Sequence, residues 1–184
     1  MPSYAYPPPP PSIEATPLEE CDRIVQNLGT HKDEWASMSI PERLGLLDQL
    51  QERLVAVQSQ WVSKCQQAKG IDPNTSLAGE DWLSGPVVTL RNIRLLRDAL
   101  VQTKAHGQPT VNPKHVSQRA DGRTVVKVFP GDIYDKLLYQ GFSAEVWMQP
   151  GVTPQNLTDH MASSYKNRPD NGLVSLVLGA GNVS

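Results

Sequence analysis

Residues 172–184 read GLVSLVLGAGNVS. Within them Leu173 to Leu178 form a nearly continuous apolar run, the pattern of a strand buried on both faces in a parallel sheet. The run passes straight into Gly179, Ala180, Gly181 and Asn182. A glycine-rich turn at the carboxyl end of a buried strand is where open α/β folds bind nucleotides. On pattern alone the glycine pair is a weak signal, since the full GxGxxG run is absent. No helix follows to close a βα unit. The strand is therefore expected to lack a neighbour, to leave apolar side chains uncovered and to recruit another copy of the chain.

Upstream, the alternation changes character several times. A turn around Pro169 is preceded by a short helix expected from Thr153–Pro154 to about Tyr165. Ser143 to Gln149 (SAEVWMQ) and Arg123 to Phe129 (RTVVKVF) alternate as strands do. The intervening PGDIYDKLLYQGF is too long for a tight hairpin and has room for a turn of helix. Residues 107–122, rich in Gly, Pro, Asn and Gln, read as a connector.

Between the tail and residue 105 the spacing is helical, broken by Ile71 to Gly79, whose Pro, Asn and Gly read as a loop. Thr16, Pro17 and Glu19 predict a capped start, with Leu18, Cys21, Ile24, Val25 and Leu28 on one side and Gly29 as the stop. Ser39, Pro41 and Glu42 form a second capping box. Leu44, Leu47, Leu50, Leu54, Val57, Trp61, Cys65 and Ala68 then mark a stripe expected to be core, closed by Gly70. A third helix is predicted after Pro86, with Val87, Leu90, Ile93, Leu96 and Leu100 on one face. Its Arg91, Arg94 and Arg97 read as a solvated face with pairs such as Arg94–Asp98 rather than an anion clamp. Residues 1–16 are a proline-rich tail with five consecutive prolines, Pro7 to Pro11, which favour a polyproline II rod. No Lys or Arg flanks them, so a solvated leader is the preferred reading over an SH3-type ligand.

The ending GLVSLVLGAGNVS resembles the first nucleotide-domain strand of the aldehyde dehydrogenase superfamily. In most members a Pro-Trp-Asn motif follows that strand. A bacterial branch of aldehyde dehydrogenase-like proteins has a Gly-Ala-Gly-Asn-Val-Ser form there, and residues 179–184 match it. The run ERLGLLDQLQERL, Glu42 to Leu54, is similar to the family's leucine-spaced N-terminal helix. The resemblance spans nearly all of the chain after the tail, with its specific residues in the last dozen. It implies that Asn182 is catalytic, its side-chain amide stabilising the thiohemiacetal oxyanion. It implies that Leu178, Gly179, Ala180 and Gly181 line the cleft for NAD or NADP, with Gly181 where tryptophan usually stands. Without the resemblance, Asn182 reads as a turn residue. The family's nucleophilic cysteine and general-base glutamate lie downstream of this motif, and neither Cys21 nor Cys65 matches the nucleophile.

Composition bounds the alternatives. The 184 residues are 39% hydrophobic and 20% charged, enough apolar material for a modest core. A net charge of −2 gives no basic field for nucleic acid. Two cysteines make no disulfide framework, and the four histidines show no metal-ligand spacing, so no metal site is expected. No GxSxG elbow supports a serine hydrolase. With no apolar run of membrane-spanning length and no signal-like start, a cytoplasmic protein is expected.

The resulting expectation is an α+β fragment of an α/β enzyme. It has a tail (1–16), a helical region with a strand insertion (17–171) and the truncated start of a Rossmann-like NAD(P)-binding domain (172–184). Its parent would oxidise an aldehyde or reduce an activated acyl group, and the isolated chain would be inactive and self-associating. The alternative is a non-enzymatic helical interaction module with a proline-rich tail.

Overall fold

In the computed structural model, residues 14–161 and 171–177 are described. The described residues divide into two compact units, 14–105 with 171–177, and 106–161. The architecture is α+β: helices in the first unit, and a three-stranded antiparallel sheet with short helices in the second.

Helix α1 runs from Leu18 to Ser37. The expected Thr16–Glu19 box does not form. Pro17 holds the cap position without a side-chain hydrogen bond, which moves Glu19 out of capping register. Glu19 and Glu20 instead sit in the first turn, where acidic groups suit the helix dipole. Nor does Gly29 stop the helix, because a mid-helix glycine costs only about 1 kcal/mol. The end is set from the next helix. Arg43 donates to the carbonyls of Trp35 (2.6 Å), Ala36 (3.2 Å) and Met38 (3.0 Å), filling the acceptors a helix C-terminus leaves open. No residue of α1 is buried.

Helix α2 spans Ile40–Lys69 and carries the predicted capping box. The Glu42 amide donates to Ser39 Oγ (3.4 Å), and the Glu42 carboxylate accepts from the Ser39 amide (2.8 Å). A hydrogen bond from the Ser39 hydroxyl, and then one from its amide, hold the Glu42 carboxyl below its ordinary pKa. Gly70 ends the helix at φ 68°, the left-handed region glycine enters freely. The expected core stripe is only partly covered. Leu44, Leu47, Leu54, Trp61 and Cys65 are half-buried, while Leu50, Val57 and Ala68 are exposed. The buried residues are Val62 and Gln66, one position round the helix, because the packing partner meets α2 along its C-terminal half.

That partner starts earlier than predicted. A 3-10 turn (Ser76–Ala78) leads into α3 (Gly79–Trp82), a π turn (Leu83–Val87) and α4 (Val88–His106). Pro86 therefore lies inside helical chain. Proline lacks the donor for an i→i−4 bond and its ring crowds that carbonyl; the wider π turn accommodates both. Pro86 is buried, and Gly85 packs against the Trp61 indole. Gln66 Nε2 donates to the Ala78 carbonyl (3.0 Å), and Lys69 Nζ pairs with Asp81 Oδ1 (2.6 Å). On α4, Arg97 bridges to Asp48 of α2 (2.7 Å) and Arg94 to Asp98 (3.8 Å), the charge-paired face the sequence predicts.

The second unit holds β1 (Val116–Gln118), β2 (Thr124–Phe129), α5 (Ile133–Leu138), β3 (Ala144–Trp147) and α6 (Leu157–His160). Strands β2 and β3 and the intervening helical turn stand where the pattern predicts. Strand β1 lies in the expected connector; at three residues it is too short to show alternation, and its pairing with β2 creates it. Helix α6 is shorter than expected, starting at Leu157 and ending at His160, within the described residues. The core joins Val126, Val152 and Leu157 with Val111, Val116, Met148 and Met161. Thr124 is fully buried and donates to the Val152 carbonyl (2.7 Å), which closes the turn after β3 onto the sheet.

Residues 172–177 form no strand, which corrects the opening expectation for their described part. A strand needs hydrogen-bonding neighbours. The sheet of the described residues lies wholly within the other unit, and all its pairings are antiparallel. Leu173, Leu176 and Val177 are accordingly exposed, at 71%, 81% and 86%.

Candidate functional site

The residues expected to meet cofactor and substrate, Leu178, Gly179, Ala180, Gly181 and Asn182, lie outside the described residues. The segment leading to them is described, and it is anchored on α1. The Gly172 amide donates to Asp33 Oδ1 (2.7 Å), and Lys32 Nζ reaches the same oxygen at 2.8 Å. The Lys32 hydrogen bond first, then that from the Gly172 amide, hold the Asp33 carboxyl below its ordinary pKa. A Cβ on residue 172 would fall on the Lys32 carbonyl, so this approach is open only to glycine.

Between helix and segment runs a groove of about 350 Å³, lined by Leu28, His31, Lys32, Trp35, Leu173, Val174 and Ser175. Leu28, Lys32 and Trp35 share one α1 face at spacings of four and three residues. The Arg43 guanidinium lies over the Trp35 ring, 5.0 Å from its centroid, in cation–π geometry. His31 Nδ1 faces Glu34 Oε2 at 3.2 Å. The arrangement is an apolar slot with polar groups at its rim, suited to binding rather than to bond-breaking.

Gly172→Ala is expected to push the segment off α1. The amide of residue 172 should then exchange roughly tenfold faster, having lost a hydrogen bond to a charged acceptor. Equal protection in both proteins would show that the anchor lies elsewhere.

Other candidates stand apart. Cys21 and Cys65 are free and half-buried. No group of three His, Cys, Asp or Glu side chains among the described residues could hold a metal ion. In the second unit, a polar hollow of about 270 Å³ is formed by Asp121–Arg123 and Gln149–Val152, at two turns with glycine φ of 81° and 88°. No described helix is long and apolar enough to cross a membrane. Asp33, Trp35 and Arg43 are groove or support residues that sequence reasoning missed. Arg43 acts across a helix break, where no periodic pattern connects it to Trp35. No protein-family model, curated protein or solved structure matches the chain.

Proposed function

We propose that the chain is the N-terminal portion of an NAD(P)-dependent aldehyde dehydrogenase-like oxidoreductase, acting in the cytoplasm on an aldehyde or an activated acyl group. The observation that carries this reading is the GLVSLVLGAGNVS run at residues 172–184. In this reading Leu173–Leu178 becomes the first strand of a Rossmann-like domain once later sequence supplies its neighbours. The uncovered side chains of Leu173, Leu176 and Val177 support it, since a strand awaiting its sheet presents such surface. Until it is covered, the same surface favours self-association.

The donor chemistry of residues 178–182 suits the implied cofactor and reaction. Glycine lets backbone approach a dinucleotide closely, and an asparagine amide can donate to a developing oxyanion. The nicotinamide would exchange hydride with the substrate carbon; Leu178–Gly181 would shape its cleft. The nucleophile and base would come from elsewhere in the enzyme.

A second reading, a non-enzymatic interaction module, is favoured by α1, which buries no residue and leaves Ile24, Val25, Leu28 and Trp35 about half exposed. Sequencing the transcript past the Ser184 codon separates the two. An open frame encoding a cysteine nucleophile and a glutamate base on a nucleotide-binding fold is expected. A stop codon at that point would favour the interaction module and sink the oxidoreductase reading.

A further inference from the structure

Strand β3 stands at one edge of the sheet of the described residues, and every residue along it is exposed. We propose that this edge pairs antiparallel with β3 of a second copy of the chain, about a two-fold axis at Val146, joining two sheets into one.

The backbone sets the register. The Met148 amide donates to the Thr124 carbonyl (2.9 Å), and Val146 stands opposite Val126 in the same ladder. In an antiparallel ladder, residues that bond the neighbouring strand alternate with residues whose N–H and C=O point away from it. Met148 and Val146 therefore bond β2, while Glu145 and Trp147 turn their backbone groups outward. Such an edge is a template for another strand. With the axis at Val146, Glu145 faces the partner's Trp147, and each such pair exchanges both of its hydrogen bonds. No proline interrupts residues 144–149, whereas β1, the opposite edge, is only three residues long.

Side-chain charge favours a second copy over an unrelated strand. Glu145 and Trp147 lie on the face of β3 shared with Lys127 and Val125 of β2. On that face the Arg119 guanidinium covers the Trp147 ring, 3.8 Å from its centroid. Its link to Asp121 is loose, at 3.8 Å, and the side chain is 42% exposed. The pairing thus brings Glu145 of each copy beside the other copy's Trp147 and the Arg119 that caps it. Unlike charges meet at both ends of the pair, which an unrelated strand would match only with an acid at that one position. On the opposite face, Val146 meets the partner's Val146 and continues the side of the sheet on which Val126 is core.

The chain around β3 also carries the apolar area that a stable pair needs. Ile133, Tyr134, Leu137, Leu138 and Phe142, on the connection that leads into β3, are 68–77% exposed. With Val146 and Trp147 they present on the order of 700 Å², against the ~800 Å² that each partner gives to a standard interface. This association uses neither residues 173–177 nor the oxidoreductase reading.

Sedimentation velocity on the full chain tests it by charge exchange. Glu145→Arg and Arg119→Glu each set like charges together at both ends of the pair. Each alone is expected to weaken the dimer roughly tenfold or more. An equimolar mixture of the two variants restores unlike charges at both ends and should return to within a few-fold of wild type. Lys127 lies opposite Glu145 in the same chain, so Glu145→Arg also strains its own sheet; a defect of that kind alone could not recover on mixing. The Glu145 and Trp147 amides should exchange hydrogen more slowly as wild-type concentration rises. A mixture that fails to recover would overturn the proposal, as would a wild-type chain that stays monomeric at high concentration. So would a dimer abolished by Leu176→Lys and unaffected by Glu145→Arg, which would assign association to residues 173–177.

Discussion

Replacing Asn182 by alanine in an active protein that carries this chain is expected to lower kcat about 10²–10³-fold with little change in KM. The expectation rests on the proposed oxidoreductase reading. Attack on a carbonyl carbon moves a full negative charge onto its oxygen. A preorganised amide donor stabilises that charge in the transition state far more than it stabilises the neutral carbonyl. Losing it therefore shows in kcat. The competing role, a turn residue tolerant of left-handed backbone, predicts a different series. Asn182→Gly preserves the turn and removes the amide. It should be as inactive as the alanine variant if the amide works on the oxyanion, and near wild type if the turn is what counts. Steady-state kinetics on the three proteins decides, and an active glycine variant would sink the catalytic assignment.

Lys69→Ala is expected to cost the first unit about 3 kcal/mol, the low end for breaking a buried ion pair. Asp81 is 5% exposed, and its Oδ1 depends on Lys69 at 2.6 Å. Its Oδ2 is buried without a hydrogen-bond partner among the described residues. Removing the ammonium leaves a buried carboxylate whose desolvation is uncompensated. Lys69 keeps 20% exposure, which is why the low end applies. Changing both partners to apolar residues, Lys69→Met with Asp81→Leu, should recover most of the loss. Urea denaturation reads both, and a single-variant loss below about 1 kcal/mol would show the pair to be effectively solvated. The same contact sets a pH signature. The hydrogen bond to Asp81 raises the Lys69 pKa above its ordinary 10.5. The folded chain thus holds this proton more tightly than the unfolded chain. The contribution is complete below about pH 10.5 and is lost as pH rises through the folded value. Lys69→Met should remove that alkaline decline.

Helix α2 was legible in the sequence because both its ends are local chemistry. Ser39 and Glu42 cap each other three residues apart, and Gly70 supplies the left-handed turn without help from elsewhere. Strands β2 and β3 were legible from alternation; the turn of helix between them was expected, but its start, where Asp132 accepts from the Asp135 amide at 2.9 Å, came only from the structure. In the candidate site, Leu28 on the α1 stripe and the apolar run from Leu173 were visible beforehand, and the anchoring role of Gly172 was not. Gly172 meets Asp33 across 139 residues, a contact that no spacing rule encodes.

What the tertiary structure decided are the features whose energy comes from distant partners. The end of α1 depends on Arg43, which reaches back over the break to three carbonyls; Gly29 is too weak a signal to compete. The π turn at Pro86 depends on burial beside α2, which holds the proline inside helical chain. The covered face of α2 depends on where α3 and the π turn meet it. The state of residues 173–177 depends on neighbours as well. An apolar run states that the segment seeks burial, which is a property of its side chains alone. Whether it is a strand is a property of its hydrogen-bonding partners, because each extended residue leaves a donor and an acceptor that only another chain segment can satisfy.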